Sequence, residues 1–220
     1  MGSLRRLLFV CALLLLGYGV GHAQSPDVGL INQLAGDVSY ANSAGSGLAR
    51  AFMKMRQGDR FTVAAGAQVR VVYFQNGRQE TWRGPASFRS GTEHSESITG
   101  TVYEVAHLPV AVPQKIQRIP ELIQMAKLGG VQVRGVTPKQ QASLEQQAEV
   151  AAARTTYAQL RQQLPQEDIT PELYLFTVLQ DYLLYDDMKT VVDEMLRRQP
   201  GNREAEQLAD WVRVRIQVSR

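Results

Sequence analysis

Gln68-Val69-Arg70-Val71-Val72-Tyr73-Phe74-Gln75-Asn76-Gly77-Arg78-Gln79-Glu80-Thr81-Trp82 is the stretch on which the fold turns. Gln68 to Phe74 alternates with a period of two, as a strand does. Val69, Val71 and Tyr73 fall on one face and Arg70, Val72 and Phe74 on the other. Both faces are mostly apolar, which predicts a strand in the middle of a sheet rather than at its edge. Asn76-Gly77 is the favoured pair for a two-residue hairpin turn, because both positions tolerate positive φ. Arg78 to Trp82 is then the returning strand.

The same grammar extends outward from Leu34 to Arg89. Val28-Gly29-Leu30-Ile31 begins a first strand, and Gly36-Asp37-Val38-Ser39-Tyr40 a second. Asn42 to Gly47 is small and polar and reads as a loop. Ala51 to Met55 is a short extended piece that leads to a turn at Gln57-Gly58-Asp59, after which Arg60-Phe61-Thr62-Val63 alternates again. Gly84-Pro85 interrupts, since proline cannot donate to a ladder, and Ala86 to Arg89 resumes. Ser90 to Ser97 reads as a polar loop, Thr101 to Val105 as a last strand, and Leu108 to Pro113, with two prolines, as the close of the region.

Beyond Pro113 the β-branched alternation stops and Gln, Glu, Leu and Ala dominate. Pro120 to Leu128 predicts a short helix stopped by Gly129-Gly130, and Val131 to Val136 is ambiguous. Thr137-Pro138 is a helix start that extends to Gln163 ahead of Pro165, roughly 40 Å at 1.5 Å per residue. Leu144, Ala148, Ala151, Ala152, Thr155 and Leu160 give that helix a narrow apolar stripe. Three shorter helices follow. Thr170-Pro171-Glu172 opens the first, with Leu173, Phe176, Leu179, Tyr182 and Leu183 at helical spacing. Asp186-Asp187 caps the second, whose face is Met188, Val191, Val192, Met195 and Leu196. Pro200-Gly201-Asn202 precedes the third, with Ala205, Leu208, Ala209, Trp211, Val212 and Ile216. The predicted fold class is α+β in two segregated parts. An all-β, small sandwich or barrel-like domain occupies residues 27–113, a connecting helical segment 114–168, and an all-α array of helical hairpins 169–218.

The N-terminus predicts export. Arg5-Arg6, an apolar run from Leu7 to Leu16 and the small residues of Gly21-His22-Ala23 form a signal peptide over residues 1–23, with cleavage after Ala23. Leu7 to Val20 is 14 residues, short of the roughly 20 needed to span a bilayer, so cleavage leaves no transmembrane segment. Cys11, the single cysteine among 220 residues, leaves with that segment. The mature chain then has no disulfide and no thiolate, although its compartment would permit disulfides. Loss of Arg5 and Arg6 also brings the formal charge from +3 to about +1. A chain so balanced has no overall field for nucleic acid, and nucleic acid is excluded as a partner.

Catalytic and cofactor motifs are not found. Glu93-His94-Ser95-Glu96, with His107 within reach of Glu104, is the nearest approach to a metal or acid–base site. A zinc site needs three or four ligands in defined geometry, and this spacing enforces none, so the cluster reads as a solvated loop. No cofactor or metal is assigned. Two surfaces are candidates for a partner. Tyr73, Arg78, Trp82 and Arg83 form an aromatic and basic group suited to a glycan or an acidic protein, with core packing of the tryptophan as the alternative. Tyr174, Tyr182, Tyr185 and Trp211 could line a concave helical surface, with burial in the core again the alternative.

The ordered marks Gly36-Asp37-Val38, Gly58-Asp59, Ala65-Gly66-Ala67, Asn76-Gly77 and Gly84-Pro85-Ala86 resemble the periplasmic β-domain of the FecR family, over about residues 28–90. The resemblance implies an extracytoplasmic β-domain that works by protein–protein or envelope contacts, without catalysis, in the periplasm of a Gram-negative bacterium. Founding members place a cytoplasmic region and a membrane helix ahead of this domain. Those have no counterpart between the signal peptide and the β-region, which argues against a direct anti-sigma role. Ile169 to Asn202 resembles one tetratricopeptide repeat, through Tyr185-Asp186-Asp187-Met188, Val192, Met195-Leu196 and Pro200-Gly201-Asn202, and the region runs to 218 with a capping helix. Phe176 and Met188 stand where that repeat has small residues. The function these readings predict is a non-enzymatic, periplasmic or secreted envelope binding or scaffolding protein. Its partner is a protein of the envelope, or peptidoglycan or another glycan. An accessory role in extracytoplasmic signalling and an enzyme acting on envelope glycans are the alternatives. Intact-mass measurement of the exported protein is expected to find Gln24 at the N-terminus; retention of residues 1–23 would overturn the soluble reading.

Overall fold

A computed structural model describes residues 25–128 and 143–218. The first half holds ten strands: β1 (Asp27–Ala35), β2 (Val38–Asn42), β3 (Gly45–Leu48), β4 (Lys54–Arg56), β5 (Arg60–Val63), β6 (Gln68–Tyr73), β7 (Arg78–Arg83), β8 (Ala86–Ser90), β9 (Ser95–Thr99) and β10 (Val102–His107). The helices are α1 (Ala111–Ile116), α2 (Ile119–Lys127), α3 (Leu144–Gln163), α4 (Thr170–Asp181), α5 (Tyr185–Arg198) and α6 (Arg203–Val218). The strands form two antiparallel sheets, the first ordered β10-β7-β6-β1-β4 and the second β3-β2-β5-β8-β9. Neither closes into a barrel, and the predicted α+β layout holds along the chain. The predicted signal peptide and the segment from Gly129 to Ala142, with its predicted Thr137-Pro138 helix start, lie outside the described residues.

β6 is central in the first sheet, as its two apolar faces predict. Val69, Val71 and Tyr73 are buried against Phe61, Val63 and Phe88 of the second sheet. Trp82 and Phe61 stack on Phe88 at ring separations of 4.7 and 5.2 Å, so three aromatics tie the sheets together. On the opposite face, Val72 and Leu30 belong to the same apolar cluster as Val112, Ile116, Leu173 and Phe176 of the helices. The two parts are separate along the chain but share a core in space, because the helices cover the outer face of the first sheet.

Several local expectations are corrected. The loop over Asn42 to Gly47 contains β3, a hairpin partner of β2 turned at Ser43-Ala44, where Asn42 Oδ1 accepts from the Ala44 amide at 2.9 Å. The loop over Ser90 to Ser97 contains the start of β9. Both strands are mostly exposed edges, so neither shows hydrophobic alternation. The prolines of Leu108 to Pro113 do not end structure: Pro113 sits in the first turn of α1, where its missing N–H costs nothing. α3 begins at Leu144 after the N-cap Ser143, whose capping box with Gln146 satisfies both amides. Its buried residues are Ala153 and Leu160, with Val150 and Tyr157 packed partly buried beside them; of the predicted stripe Leu160 is buried, whereas Leu144 is 85% exposed. Asp186 and Asp187 lie within the first turn of α5, where they favour the helix dipole without capping any amide. Asn202 does cap α6, accepting from the Ala205 amide at 3.0 Å.

The sheet and helices are registered by a buried polar seam. Asp168, fully buried just before α4, accepts from the Thr170 amide (2.8 Å) and hydroxyl (2.6 Å) through Oδ1, and from Gln79 Nε2 (2.5 Å) through Oδ2. Arg70 Nη1 lies 3.4 Å from Oδ2 and donates to Gln33 at 2.6 Å, while its Nε donates to Thr81 at 3.0 Å. Asn32 Nδ2 donates to Thr170 Oγ1 at 2.5 Å. A second buried carboxylate, Glu172, holds α3 to α5 through Arg161 (3.5 Å), Arg198 (3.2 Å) and the Tyr157 hydroxyl (3.1 Å). Burial pushes its carboxyl above the usual range, with the two arginines and the tyrosine acting against that.

Removing one partner of a buried ion pair strands the other. Asp168→Ala is therefore expected to cost about 3–5 kcal/mol in urea unfolding. Asp193→Ala, which breaks the exposed 2.6 Å pair with Lys189, should cost less than about 0.5 kcal/mol. Equal losses would refute the seam. Glu194 supplies a pH signature. A hydrogen bond from Arg197, then the nearby Arg198, lowers its carboxyl from the ordinary 4.5 to about 2. The lower folded-state value adds stability that is present above about 4.5 and lost as pH falls toward about 2. Glu194→Gln should flatten that acid limb when urea midpoints at neutral pH and near pH 3 are compared.

Candidate functional site

The chain passes from the second sheet to the first between β3 and β4, and that crossing builds an open concavity. The Ala49 amide donates to Val38 at 2.8 Å and the Phe52 amide to Ile31 at 2.6 Å. Phe52 has φ of 60°, a left-handed conformation that costs a side chain about 1–2 kcal/mol. Its ring is 2% exposed, inserted into the helix-side core, and such burial returns about 1.5–3 kcal/mol. The phenylalanine pins the crossing from below and leaves its upper side open.

Above it lies a groove of about 450 Å³, within the size range of ligand clefts. One wall is the crossing itself with Leu48, Arg50 and Met53, joined by Tyr40 and Asn42 of β2. The opposite wall is α2, through Pro120, Ile123, Gln124 and Lys127, and Glu204 at the start of α6 also reaches it. Lys54 latches β4 to α2 by pairing with Asp27 at 3.0 Å and Glu121 at 2.5 Å. Burial acts to lower the Lys54 ammonium, but the two carboxylates outweigh it and hold it above the usual value. Asp59 Oδ2 accepts from the Arg56 amide at 2.9 Å, and Arg56 Nε lies 3.6 Å from Asp27. Arg50, Lys127 and Glu204 line the groove with no side-chain partner among the described residues.

One rim of the groove is a strand edge of unusual openness. β3 ends the second sheet, all four of its residues are exposed, and Leu48 is 66% exposed. Gly45-Ser46-Gly47-Leu48 has no charge and no proline, and its pairing with β2 is unbroken by a bulge. The other three edges are guarded in the ways that prevent unwanted pairing. β4 is three residues long and its Arg56 amide is occupied. β9 and β10 each pair across a register shift and carry Glu96 and Glu104.

The surfaces expected from the sequence do not assemble. Tyr73 is fully buried, and its hydroxyl, raised above the usual phenol range by burial, meets Ser95 Oγ at 2.8 Å. Trp82 lies between the sheets and its indole N–H donates to Glu80 at 3.2 Å. Arg78 donates to the same carboxylate at 2.5 Å, and Arg83 covers the Tyr103 ring at 3.4 Å. Among the helical aromatics, Tyr174 and Trp211 are buried. Tyr185 meets Trp211 edge-on at 6.1 Å, and Tyr182 donates to Glu149, a bond that pushes the phenol up to about 12. The core alternative thus describes Trp82, Tyr174 and Trp211, and Tyr73, read as part of a surface, is buried as well. Glu80, 1% exposed, was unremarked in the sequence; it accepts from the Ser95 amide and links β7 to β9.

Gly91 to His94 is a turn closed by the Gly91 amide donating to His94 at 3.0 Å and braced by Asn76 on the Glu93 carbonyl at 3.1 Å. Among the described residues no three His, Cys, Asp or Glu side chains converge to hold a metal ion, and no helix is long and apolar enough to cross a membrane. No protein-family model, curated protein or solved structure matches the chain.

Proposed function

We propose that this protein is a non-enzymatic, exported binding or scaffolding module of the bacterial envelope, which holds a segment of a partner protein in the groove between β3 and α2. The observation that carries the reading is the pairing of an unguarded strand edge with a groove that holds unpartnered Arg50, Lys127 and Glu204. A strand edge recognises any extended backbone through its free N–H and C=O groups, while an adjoining groove selects side chains. The unpaired charges of both signs favour a partner segment that itself carries both. Export supports the reading through the N-terminal signal, and the FecR-like marks of residues 28–90 agree with a β-domain that works by contact. The tetratricopeptide-like region 169–218 braces the groove from behind, since α2 packs against α6. An accessory role in extracytoplasmic signalling would use the same groove with a membrane-bound regulator as the partner.

A photo-crosslinking residue placed at Leu48 or Gln124 in the native cell is expected to trap one stoichiometric protein, and the same residue at Arg213 to trap none. Arg50→Glu with Lys127→Glu should weaken that crosslink at least about tenfold, since interfacial charge reversals cost 1.4 kcal/mol or more. Equal trapping from all three positions would remove the groove from the interface. Turnover of purified peptidoglycan by the mature protein would instead support the enzyme alternative.

A further inference from the structure

We infer that the outer face of the second sheet is a separate binding site for a carboxylate-bearing glycan strand, held by Arg60 and Arg89. The inward residues Phe61, Val63, Ala86 and Phe88 are buried between the sheets, so their neighbours along each strand point outward. In register across the three middle strands, Ser39 stands opposite Thr62, which stands opposite Ser87. In the next row Ala41 stands opposite Arg60, which stands opposite Arg89. These six outward side chains comprise two guanidinium groups, three hydroxyls and one methyl, with no carboxylate.

Like charges directly opposite each other on neighbouring strands destabilise a sheet. Arg60 and Arg89 are such a pair, and neither has an ion-pair or hydrogen-bond partner among the described residues. Glu96 of the edge strand lies opposite Arg89 and offsets one charge, which leaves one cation uncompensated. Most other arginines of the described structure are engaged by an acid, an amide or a ring. Retaining two free arginines side by side opposes stability and suits a ligand that supplies the missing anions.

The chemistry of that ligand follows from the donors. A guanidinium fork matches a carboxylate with two parallel N–H bonds, and the row of hydroxyls offers donors to sugar oxygens beside it. The face is flat and open, because the helices cover the other sheet. The three middle strands raise no apolar side chain larger than that of Ala41, and Leu48 of β3 stands only at the margin, opposite Ser39, so the face is too poor in apolar groups to insert into a lipid surface. An extended, oxygen-rich, anionic sugar strand fits both the charge and the shape.

The probe is polygalacturonate, which carries one carboxylate per sugar, against its methyl ester, which keeps the backbone and removes the charge. The purified mature protein should bind polygalacturonate and not the ester, and about 0.5 M salt should weaken the complex. R60Q/R89Q should bind at least about tenfold more weakly, while its melting temperature stays level or rises because the repulsion is relieved. R203Q, at another exposed arginine without a partner, should bind as the wild type does. No binding to polygalacturonate, equal binding to the ester, or unchanged binding by R60Q/R89Q would each overturn the proposal. So would binding to phosphatidylglycerol vesicles alone, which would assign the face to a membrane. A melting temperature lowered by several degrees in R60Q/R89Q would give the arginines a structural role instead. Leu48 stands opposite Ser39 at the margin of this face, so crosslinking from Gln124, on the α2 wall of the groove, is the readout of the groove that is independent of these outcomes.

Discussion

One buried carboxylate, Asp168, sets how the two halves of this protein meet. Its oxygens are divided between the start of α4, through Thr170, and the first sheet, through Gln79 and Arg70. Arg70 is 2% exposed on the central strand, and a cation so placed cannot remain without a counter-charge. Apolar packing between the sheet and the helices is non-directional and would tolerate sliding. The seam is directional. It selects one register of helices on sheet, and the apolar cluster around Leu30, Val72 and Phe176 then packs to that register.

Two elements are buried along most of their length as a result. β6 lies between the second sheet and the helices, and α4, buried from Thr170 to Leu179, lies within the helical layer. The molecule is thus layered as sheet, sheet and helices, with the inner elements solvated only at their ends. Such layering leaves few places where a partner could attach. The crossing from β3 to β4 stays open because it passes around the rim of both sheets, and the outer face of the second sheet stays open because the helices lie on the other side. Both proposed sites therefore follow from the placement of the helices.

Much of the fold was legible wherever a segment is buried on one face or two. The alternation of Gln68 to Phe74 predicted a central strand, and Asn76-Gly77 the hairpin after it, because burial imposes a period of two. Segments buried on no face gave no such signal. β3 and β9 are mostly exposed edges built mainly of Gly, Ser, Glu and Thr, and they form chiefly through backbone pairing to β2 and β8. The stripe of α3 was misplaced because alanines were counted as core; Tyr157, which packs its ring and donates its hydroxyl to Glu172, was the better marker. Trp82 drew attention as a surface aromatic, but the sheet sets it opposite Val69, facing the second sheet, and its indole N–H found Glu80 inside.

By itself the amino-acid sequence determined the strands with alternating faces, the turns at Asn-Gly and Gly-Pro, the helices of the last third, and the division of the chain between them. These depend on local sterics and on solvent, which act on each residue where it stands. Only the tertiary structure decided that Arg70, Gln79 and Asp168 are partners, that Arg60 and Arg89 are neighbours, and that β3 is an edge beside a groove. Each of these joins residues remote in the chain or depends on which strand comes last in a sheet. No local propensity encodes that order; it emerges when the apolar faces and the buried charges are satisfied together.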